Sequence, residues 1–306
     1  MTKQGNKKTV LITGSGGLLG TELIEQLLNG GNWQVIAMTS NVNHVVNKFN
    51  NGELLVVSND SWIEQLSNRN IKVDTLINCA FPRSSKPEEL AQGLPFTEKI
   101  ITDSIDYGIE HIINISSQSV YTQKQKKDVT EKSAVQPESL YGMTKYACER
   151  VVSILCESNN VKYSNIRLGS LTGLNFDVRM TNRFVKSVIN GEKIVINGGK
   201  QKLSYLDVRD AANGLIKMLS SNPNNWKPIY NLGNQQVFTL IELIDVIKMK
   251  AKDFEYDNPE IEVNHGDSNY NNVMNNDLFY DQFTFEHKFD LNNMIDELFN
   301  QKLSED

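Results

Sequence analysis

Long apolar runs are missing: no stretch of the 306 residues approaches the ~18 that a membrane-spanning helix requires. Cysteine is scarce, and Cys79, Cys148 and Cys156 form no CxxC pair and no disulfide framework. That usage suits a reducing, cytoplasmic setting. The histidines show no ligand-like spacing, so no metal site is expected, and His111 and His265 read as structural or solvated. No long basic run is present. The 31 basic side chains are outnumbered by 37 acidic ones, for a net charge of −6. Such a balance argues against binding nucleic acid or an anionic membrane through the overall field. Lys3, Lys7 and Lys8 precede Val10, Leu11 and Ile12 in the manner of a signal peptide, but no cleavage site follows a proper apolar region. Residues 10–12 therefore read as a buried first strand.

What is present is ordinary for a globular chain: 39% hydrophobic and 22% charged residues. Short apolar runs at 10–13, 34–38, 54–57, 73–79, 111–115 and 163–167 read as strands. Helical spacing appears between most of them, notably at 18–28, 96–107 and 139–157. Strands that are apolar throughout, alternating with helices, predict a doubly wound parallel sheet covered on both faces, an α/β Rossmann-type fold. The last third predicts helices at 182–190, 211–219, 239–249 and 289–301, extended segments at 193–196 and 229–233, and an Asn-rich stretch at 258–276 that reads as loop with room for one strand. The expected organisation is a dinucleotide-binding domain over 1–173, to which 205–236 returns. A smaller C-terminal α/β substrate lobe is expected over 174–204 and 237–306.

Thr13, Gly14, Ser15, Gly16, Gly17, Leu18, Leu19 and Gly20 follow the first strand and open the first helix. Glycines in this context permit a tight turn and let the backbone approach a pyrophosphate at a helix N-terminus. The spacing is G-x-x-G-x-x-G over Gly14, Gly17 and Gly20, and Leu19 stands where G-x-G-x-x-G would need its last glycine. An acid after the second strand would select NAD by binding its ribose 2′-hydroxyl. Here Thr39, Ser40 and Asn41 occupy that place, so nothing opposes a 2′-phosphate, and His44 or Lys48 is within a few residues. The expected cofactor is NADP, with NAD as the alternative. Asp60 follows the third strand, placed either to accept from an adenine amino group or to act as a solvated loop acid.

Tyr141 and Lys145 are four residues apart and share one helix face. A lysine ammonium beside a phenol favours the phenolate and suits tyrosine to give or take a carbinol proton. Upstream, Ser116 and Ser117 come at the carboxyl end of a strand, where such sheets bind their ligands.

Taken together, Thr13–Gly20, residues 74–80, Ser116 to Tyr121, residues 141–145, residues 167–173 and residues 230–233 resemble the extended short-chain dehydrogenase/reductases. That family is also labelled NAD-dependent epimerase/dehydratase, and the likeness runs over nearly the whole chain. The resemblance implies that Ser117, four before Tyr121, hydrogen-bonds the reacting oxygen, with Ser116 and Ser119 as fallbacks. It implies Tyr141 as general acid/base, and Lys145 as the group that tunes Tyr141 and holds the nicotinamide ribose. It also implies Ala80 and Phe81 as cofactor-lining residues, a nucleotide sugar as substrate, and a homodimer built on the helices at 96–107 and 141–157. Their apolar residues are Ile100, Ile101, Ile105, Val151, Val152, Ile154 and Leu155.

The departures are also informative. Gln118 and Ser119 replace the Asp-Glu pair of the 4,6-dehydratases, which argues against dehydration. Ser170 stands where epimerases often carry asparagine, and Leu203 where an arginine grips the diphosphate. The arginine that precedes the C-terminal Gly-Asp is absent at Asn264, His265, Gly266 and Asp267. Arg179, Arg183 and Lys202 are the candidate replacements. The leading expectation is an NAD(P)-dependent reductase of a keto-sugar nucleotide, acting at C4. The alternatives are a nucleotide-sugar epimerase with retained NAD and a non-catalytic dinucleotide-binding regulator.

Overall fold

A computed structural model describes residues 7–82, 84, 86–125, 127–266 and 270–303. Among them no helix is long and apolar enough to cross a membrane. The chain divides into two compact units. The first comprises residues up to Tyr121, Ala134–Arg167 and Ala212–Tyr230, and the second Thr122–Ser133, Leu168–Ala211 and Asn231–Asp306.

The first unit is built on β1 (Lys8–Thr13), α1 (Leu18–Gly30), β2 (Trp33–Thr39), α2 (Val42–Phe49), β3 (Leu55–Ser58), α3 (Trp62–Ser67) and β4 (Thr75–Asn78). It continues with α4 (Pro87–Ala91), α5 (Gly93–Asp106), β5 (His111–Ser117), α6 (Leu140–Ser158) and β6 (Lys162–Leu168). In the last third come β7 (Ser170–Thr172), α7 (Met180–Ile189), β8 (Ile194–Asn197), β9 (Lys202–Leu203), β10 (Tyr205–Asp207), α8 (Val208–Leu219) and β11 (Ile229–Leu232). The chain ends with β12 (Phe238–Thr239), α9 (Leu240–Asp253), β13 (Ile261–Asn264), α10 (Asp277–Phe283) and α11 (Leu291–Leu303).

Seven strands form one parallel sheet in the order β11-β6-β5-β4-β1-β2-β3. The chain winds outward from β1 through β2 to β3, then crosses back to β4. The order therefore reverses between β1 and β4, and the crevice outside their carboxyl ends is where sheets of this kind place ligands. Residues of β1, β4 and β5 are buried almost without interruption because helices cover both faces. The core on one side joins Leu11, Leu76 and Ile112 of the sheet to Trp62, Ile100, Ile101, Val152 and Cys156.

Polar residues interrupt these apolar strands at one level. Thr13 Oγ1 donates to Asn78 Oδ1 (2.7 Å), Asn78 Nδ2 to Asn114 Oδ1 (3.0 Å) and Asn114 Nδ2 to Asn165 Oδ1 (2.8 Å). Asn165 Nδ2 in turn reaches Ser153 Oγ and the Glu149 carbonyl, both at 3.4 Å, on α6. Thr13, Asn78 and Asn114 are direct register partners on neighbouring strands, which is why their short side chains meet. All four are buried, so the row satisfies groups that would otherwise cost free energy inside the sheet.

The second unit has its own core, formed by Phe184, Val185 and Val188 of α7 with Leu243, Ile244 and Ile247 of α9 and Ile295, Leu298 and Phe299 of α11. Thr239 begins α9 with a capping box, its side chain taking the Glu242 N–H while Glu242 takes the Thr239 N–H. Three two-stranded sheets pair β7 with β10, β9 with β12 and β8 with β13. In the last of these, β8 coincides with the extended segment expected at 193–196, and β13 is the one strand allowed for within the Asn-rich stretch.

Candidate active site

The turn after β1 is held by its own glycines. Gly14 has φ +64°, and a Cβ there would stand 2.9 Å from both the Cα and the N of Ala80. A Cβ on Gly20 would overlap the Gly14 carbonyl oxygen, whereas at Gly17 the nearest atom is that same oxygen at 3.2 Å. Gly14 and Gly20 thus let α1, the turn and the end of β4 close on one another. This corrects the expectation that the space left at Gly14 belongs to a pyrophosphate; at Gly14 it is filled by backbone. The Ala80 N–H also donates to Thr13 Oγ1 at 3.0 Å, fastening the two strand ends.

The crevice at the switch point is a cleft of about 560 Å³. Gly14, Gly16, Gly17, Thr39, Ser40, Ala80 and Phe81 line it, as do Asn41, His44, Asn59, Cys79, Pro82, Gln92 and Phe96. Among the described residues its wall carries neither a carboxylate nor a lysine or arginine. Asp60 is exposed and outside the wall, which takes Asn59 instead. Leu18, Leu19 and Gly20 add no side chain to the wall, Leu19 facing the core, and offer the cleft only the first backbone N–H groups of α1. Lys48 donates to Thr21 Oγ1 at 3.2 Å and does not line the cleft, while His44 does. Asn41 stands in the place after β2 that the sequence marked, whereas Asn59 was passed over in favour of Asp60. Their signal was position: each lies within two residues of the carboxyl end of a strand, Asn41 after β2 and Asn59 after the edge strand β3.

Tyr141, Lys145 and Phe81 come together. The Phe81 ring meets Tyr141 edge-on, with centroids 5.5 Å apart, and the Lys145 ammonium sits 4.0 Å from the Phe81 centroid. Phe81 therefore joins the cleft wall to the Tyr141–Lys145 face of α6. It fits because α5 begins with Gly93, where a Cβ would strike the Phe81 ring. Lys145 Nζ donates to the Ile115 carbonyl at 2.8 Å. Burial pushes its pKa down to about 8, against the upward pull of Cys148, Cys79 and Glu149.

Ser117 ends β5, and its Oγ accepts from the Ser119 N–H at 3.1 Å, capping a short 3-10 turn that leads to Tyr121. Gly142 makes the approach of α6 to this turn possible, because a Cβ there would overlap the Ser119 carbonyl oxygen. Ser116 is taken up elsewhere: it donates to Glu149. That engagement removes it as a fallback for Ser117.

The residues considered for substrate in the second unit are dispersed. Arg179 lies over the Phe176 and Tyr205 rings, at 5.0 and 5.5 Å. Arg183 and Lys202 are exposed. Ser170 Oγ accepts from Asn272 at 3.1 Å. Leu203 is buried in the second core. Asp267 lies outside the described residues.

A glycine turn at the switch point of a 3-2-1-4-5-6 sheet defines a Rossmann-type α/β protein. Residues 10–233 match the model of the NAD dependent epimerase/dehydratase family, and the chain belongs to that family, the extended short-chain dehydrogenase/reductase class expected from its motifs. It is 23% identical to the UDP-glucose 4-epimerase of Lactobacillus helveticus over 270 residues, covering 78% of this chain and 80% of that one. The solved structure of UDP-N-acetylglucosamine 4-epimerase from Bacillus cereus superposes with a TM-score of 0.81 at 23% identity, covering 96% of both chains. UDP-glucuronic acid 4-epimerase from Bacillus cereus, solved with UDP-glucuronic acid and NAD, gives 0.82 at 15% identity over 96% of this chain and 99% of that one.

Proposed function

We propose that the protein is an NAD-dependent epimerase of a nucleotide sugar, acting at C4. The observation that carries this reading is the meeting of Tyr141, Lys145 and Phe81 at the edge of the switch-point cleft. The 4-epimerase relatives support epimerisation over the net keto-sugar reduction expected from the sequence. Structural neighbours solved with NAD shift the cofactor reading from NADP to NAD.

The residues fit a dinucleotide. The N-terminus of α1 has no side-chain cap and no acid in its first turn, so nothing competes for its free N–H groups. The Gly17 N–H is already given to the Gly14 carbonyl at 2.9 Å, so Gly16 and the first N–H groups of α1, those of Leu18 and Leu19, would hold the pyrophosphate, and Ser40, Asn41 and Asn59 the adenosine ribose through neutral hydrogen bonds. A bound nicotinamide supplies reversible hydride acceptance. Tyr141 Oη would take the proton of the sugar 4-hydroxyl and return it to that same oxygen, while the inversion would lie in the C4 hydride, given up from one face of the sugar and regained on the other. The Lys145 ammonium stabilises the tyrosinate, and Ser117 Oγ hydrogen-bonds the reacting oxygen.

The test is to incubate the purified protein with UDP-glucose, UDP-N-acetylglucosamine and UDP-glucuronic acid without added cofactor, following C4 configuration by proton NMR. C4 inversion, with NAD released on denaturation, is the expected result. Consumption of NADPH by a keto-sugar nucleotide without inversion would establish the reductase instead. The neutral wall beside Thr39 is the feature that favours that second reading.

The Lys145 value near 8 sets a pH dependence. Above it the ammonium is lost, so kcat/KM is expected to fall with a midpoint near pH 8. A profile flat to about pH 10, where an ordinary lysine titrates, would contradict this.

We also propose a cytoplasmic homodimer. The reducing setting rests on the free thiols of Cys79, Cys148 and Cys156. The apolar face is smaller than the sequence suggested. Ile100, Ile101 and Val152 are buried in the core, and Ile105 and Leu155 pack against it. Leu140, Met143 and Ile154 remain exposed on α6 and are the residues offered to a second copy. A monomer mass by light scattering at micromolar concentration would reject the dimer.

A further inference from the structure

We propose that the buried Glu149–Arg167 pair is a positioning device that locks the Ser117 loop to the helix carrying Tyr141 and Lys145. The proposal rests on the roles given above to those three residues, and it assigns Glu149, Arg167, Ser116 and Tyr121 a part in the same site.

Strand alternation places Asn114 and Ser116 on one face of β5, and Asn165 and Arg167 on one face of β6. Glu149 lies one helical turn beyond Lys145, so both reach the segment that leaves β5. Glu149 Oε1 accepts from Arg167 Nε (2.9 Å) and from Ser116 Oγ, and Oε2 accepts from Arg167 Nη2 (2.7 Å). The remaining arm, Arg167 Nη1, donates to Tyr121 Oη at 2.8 Å. Glu149, Arg167 and Tyr121 are each only 2% exposed.

The seven residues from Ile115 to Tyr121 are therefore tied at three points. Lys145 holds the Ile115 carbonyl, Glu149 holds the Ser116 hydroxyl, and Arg167 holds the Tyr121 hydroxyl. Ser117 lies between the first two ties and the third. Its Oγ is already oriented by the Ser119 N–H. One ion pair thus reaches both sides of the serine, its carboxylate standing on the helix of the tyrosine and lysine and its guanidinium on β6.

A buried ion pair is a weak source of net stability, because desolvation offsets most of its attraction. What it supplies is direction. The bidentate guanidinium–carboxylate geometry fixes both planes, and the leftover donor and acceptor are aimed. An apolar pair of equal volume would fill the space but would tie neither Ser116 nor Tyr121.

The test compares Glu149→Gln, the double variant Ser116→Ala/Tyr121→Phe and the control Ser153→Ala. Ser153 donates to the Glu149 carbonyl on the same helix at 2.9 Å and accepts from Asn165 Nδ2 at 3.4 Å, so the control loses buried bonds beside the pair without touching the loop. Amide hydrogen exchange is measured on the full chain, with NAD affinity and epimerase kinetics alongside. Exchange over residues 116–121 is expected to rise at least about tenfold in the first two variants, with β1 amides unchanged, and to stay at the wild-type rate in the control. Turnover is expected to fall about 10²-fold with KM and NAD affinity within about threefold, the split that misplacement of a reacting group produces.

Should Glu149→Gln fail to fold, the double variant decides, since both of its changes only remove hydroxyls. The proposal is overturned if exchange over 116–121 stays at the wild-type rate, if Ser153→Ala raises it equally, or if the loop loosens while wild-type turnover persists. If the wild type inverts none of the sugar nucleotides, the functional reading fails. The exchange measurement then still decides whether the pair orders the loop.

Discussion

Tyr141→Phe is expected to lower epimerase turnover by about 10²–10⁴-fold, the range that general acid–base catalysis contributes. NAD affinity should stay within about threefold of wild type, as for a group that acts only in the transition state. The ring is kept, and so is its edge contact with Phe81 at 5.5 Å, so packing around the cleft wall survives. What disappears is the hydroxyl that carries the proton. Lys145→Ala should damage turnover and cofactor binding together, because the ammonium serves both. Ser117→Ala should lose less than Tyr141→Phe, since it removes an orienting hydrogen bond and not the proton carrier. NMR epimerisation assays run beside NAD titrations separate these cases. Wild-type turnover in Tyr141→Phe would end the mechanism proposed here.

Gly14→Val should be the most damaging single change outside the catalytic set. The left-handed φ of +64° is strained for any L side chain, and the added Cβ meets backbone, not a movable side chain. Strain at such a position costs on the order of 1–3 kcal/mol, and the collision with Ala80 adds to it. The turn cannot relax without parting β1 from β4, so NAD binding and thermal stability should fall together. Gly17→Ala is the contrasting case. Its φ of −83° is ordinary, and its nearest obstacle is one carbonyl oxygen at 3.2 Å. It should fold with a near-normal melting temperature. Calorimetry with and without NAD distinguishes the two, and equal effects at both positions would contradict the geometry.

The doubly wound sheet was legible because its strands are apolar throughout and its helices periodic. The strands expected at 10–13, 34–38 and 111–115 fall within β1, β2 and β5. Glycines directly after a strand, and a tyrosine and lysine one turn apart, were equally plain, since each depends on neighbours in sequence. What stayed hidden depends on neighbours in space. Asp60 looked suited to an adenine, yet it is Asn59, one residue earlier, that reaches the cleft wall. Ser116 and Ser117 were indistinguishable as types; alternation along β5 turns Ser116 to Glu149 and leaves Ser117 to cap the following turn. Ile100, Ile101 and Val152 looked like an interface because helical periodicity cannot say whether an apolar face meets a sheet or a second subunit. Short pairs such as β9 with β12 leave almost no periodic trace, and only packing in the second unit creates them.

The row from Thr13 through Asn78 and Asn114 to Asn165 has a polarity. Every member accepts from the neighbour on its β1 side and donates toward α6, and the Ala80 N–H feeds the first hydroxyl. Aligned dipoles of this kind reinforce one another. No single amide can be reversed without leaving two donors face to face, so the row turns as a whole or not at all. It acts as a rigid crossbar, laid perpendicular to the strands, between the glycine turn and the helix of Tyr141 and Lys145. The glycine turn and the helix of Tyr141 and Lys145 are thereby joined by one unbroken line of hydrogen bonds, whose last links to α6 are its longest at 3.4 Å.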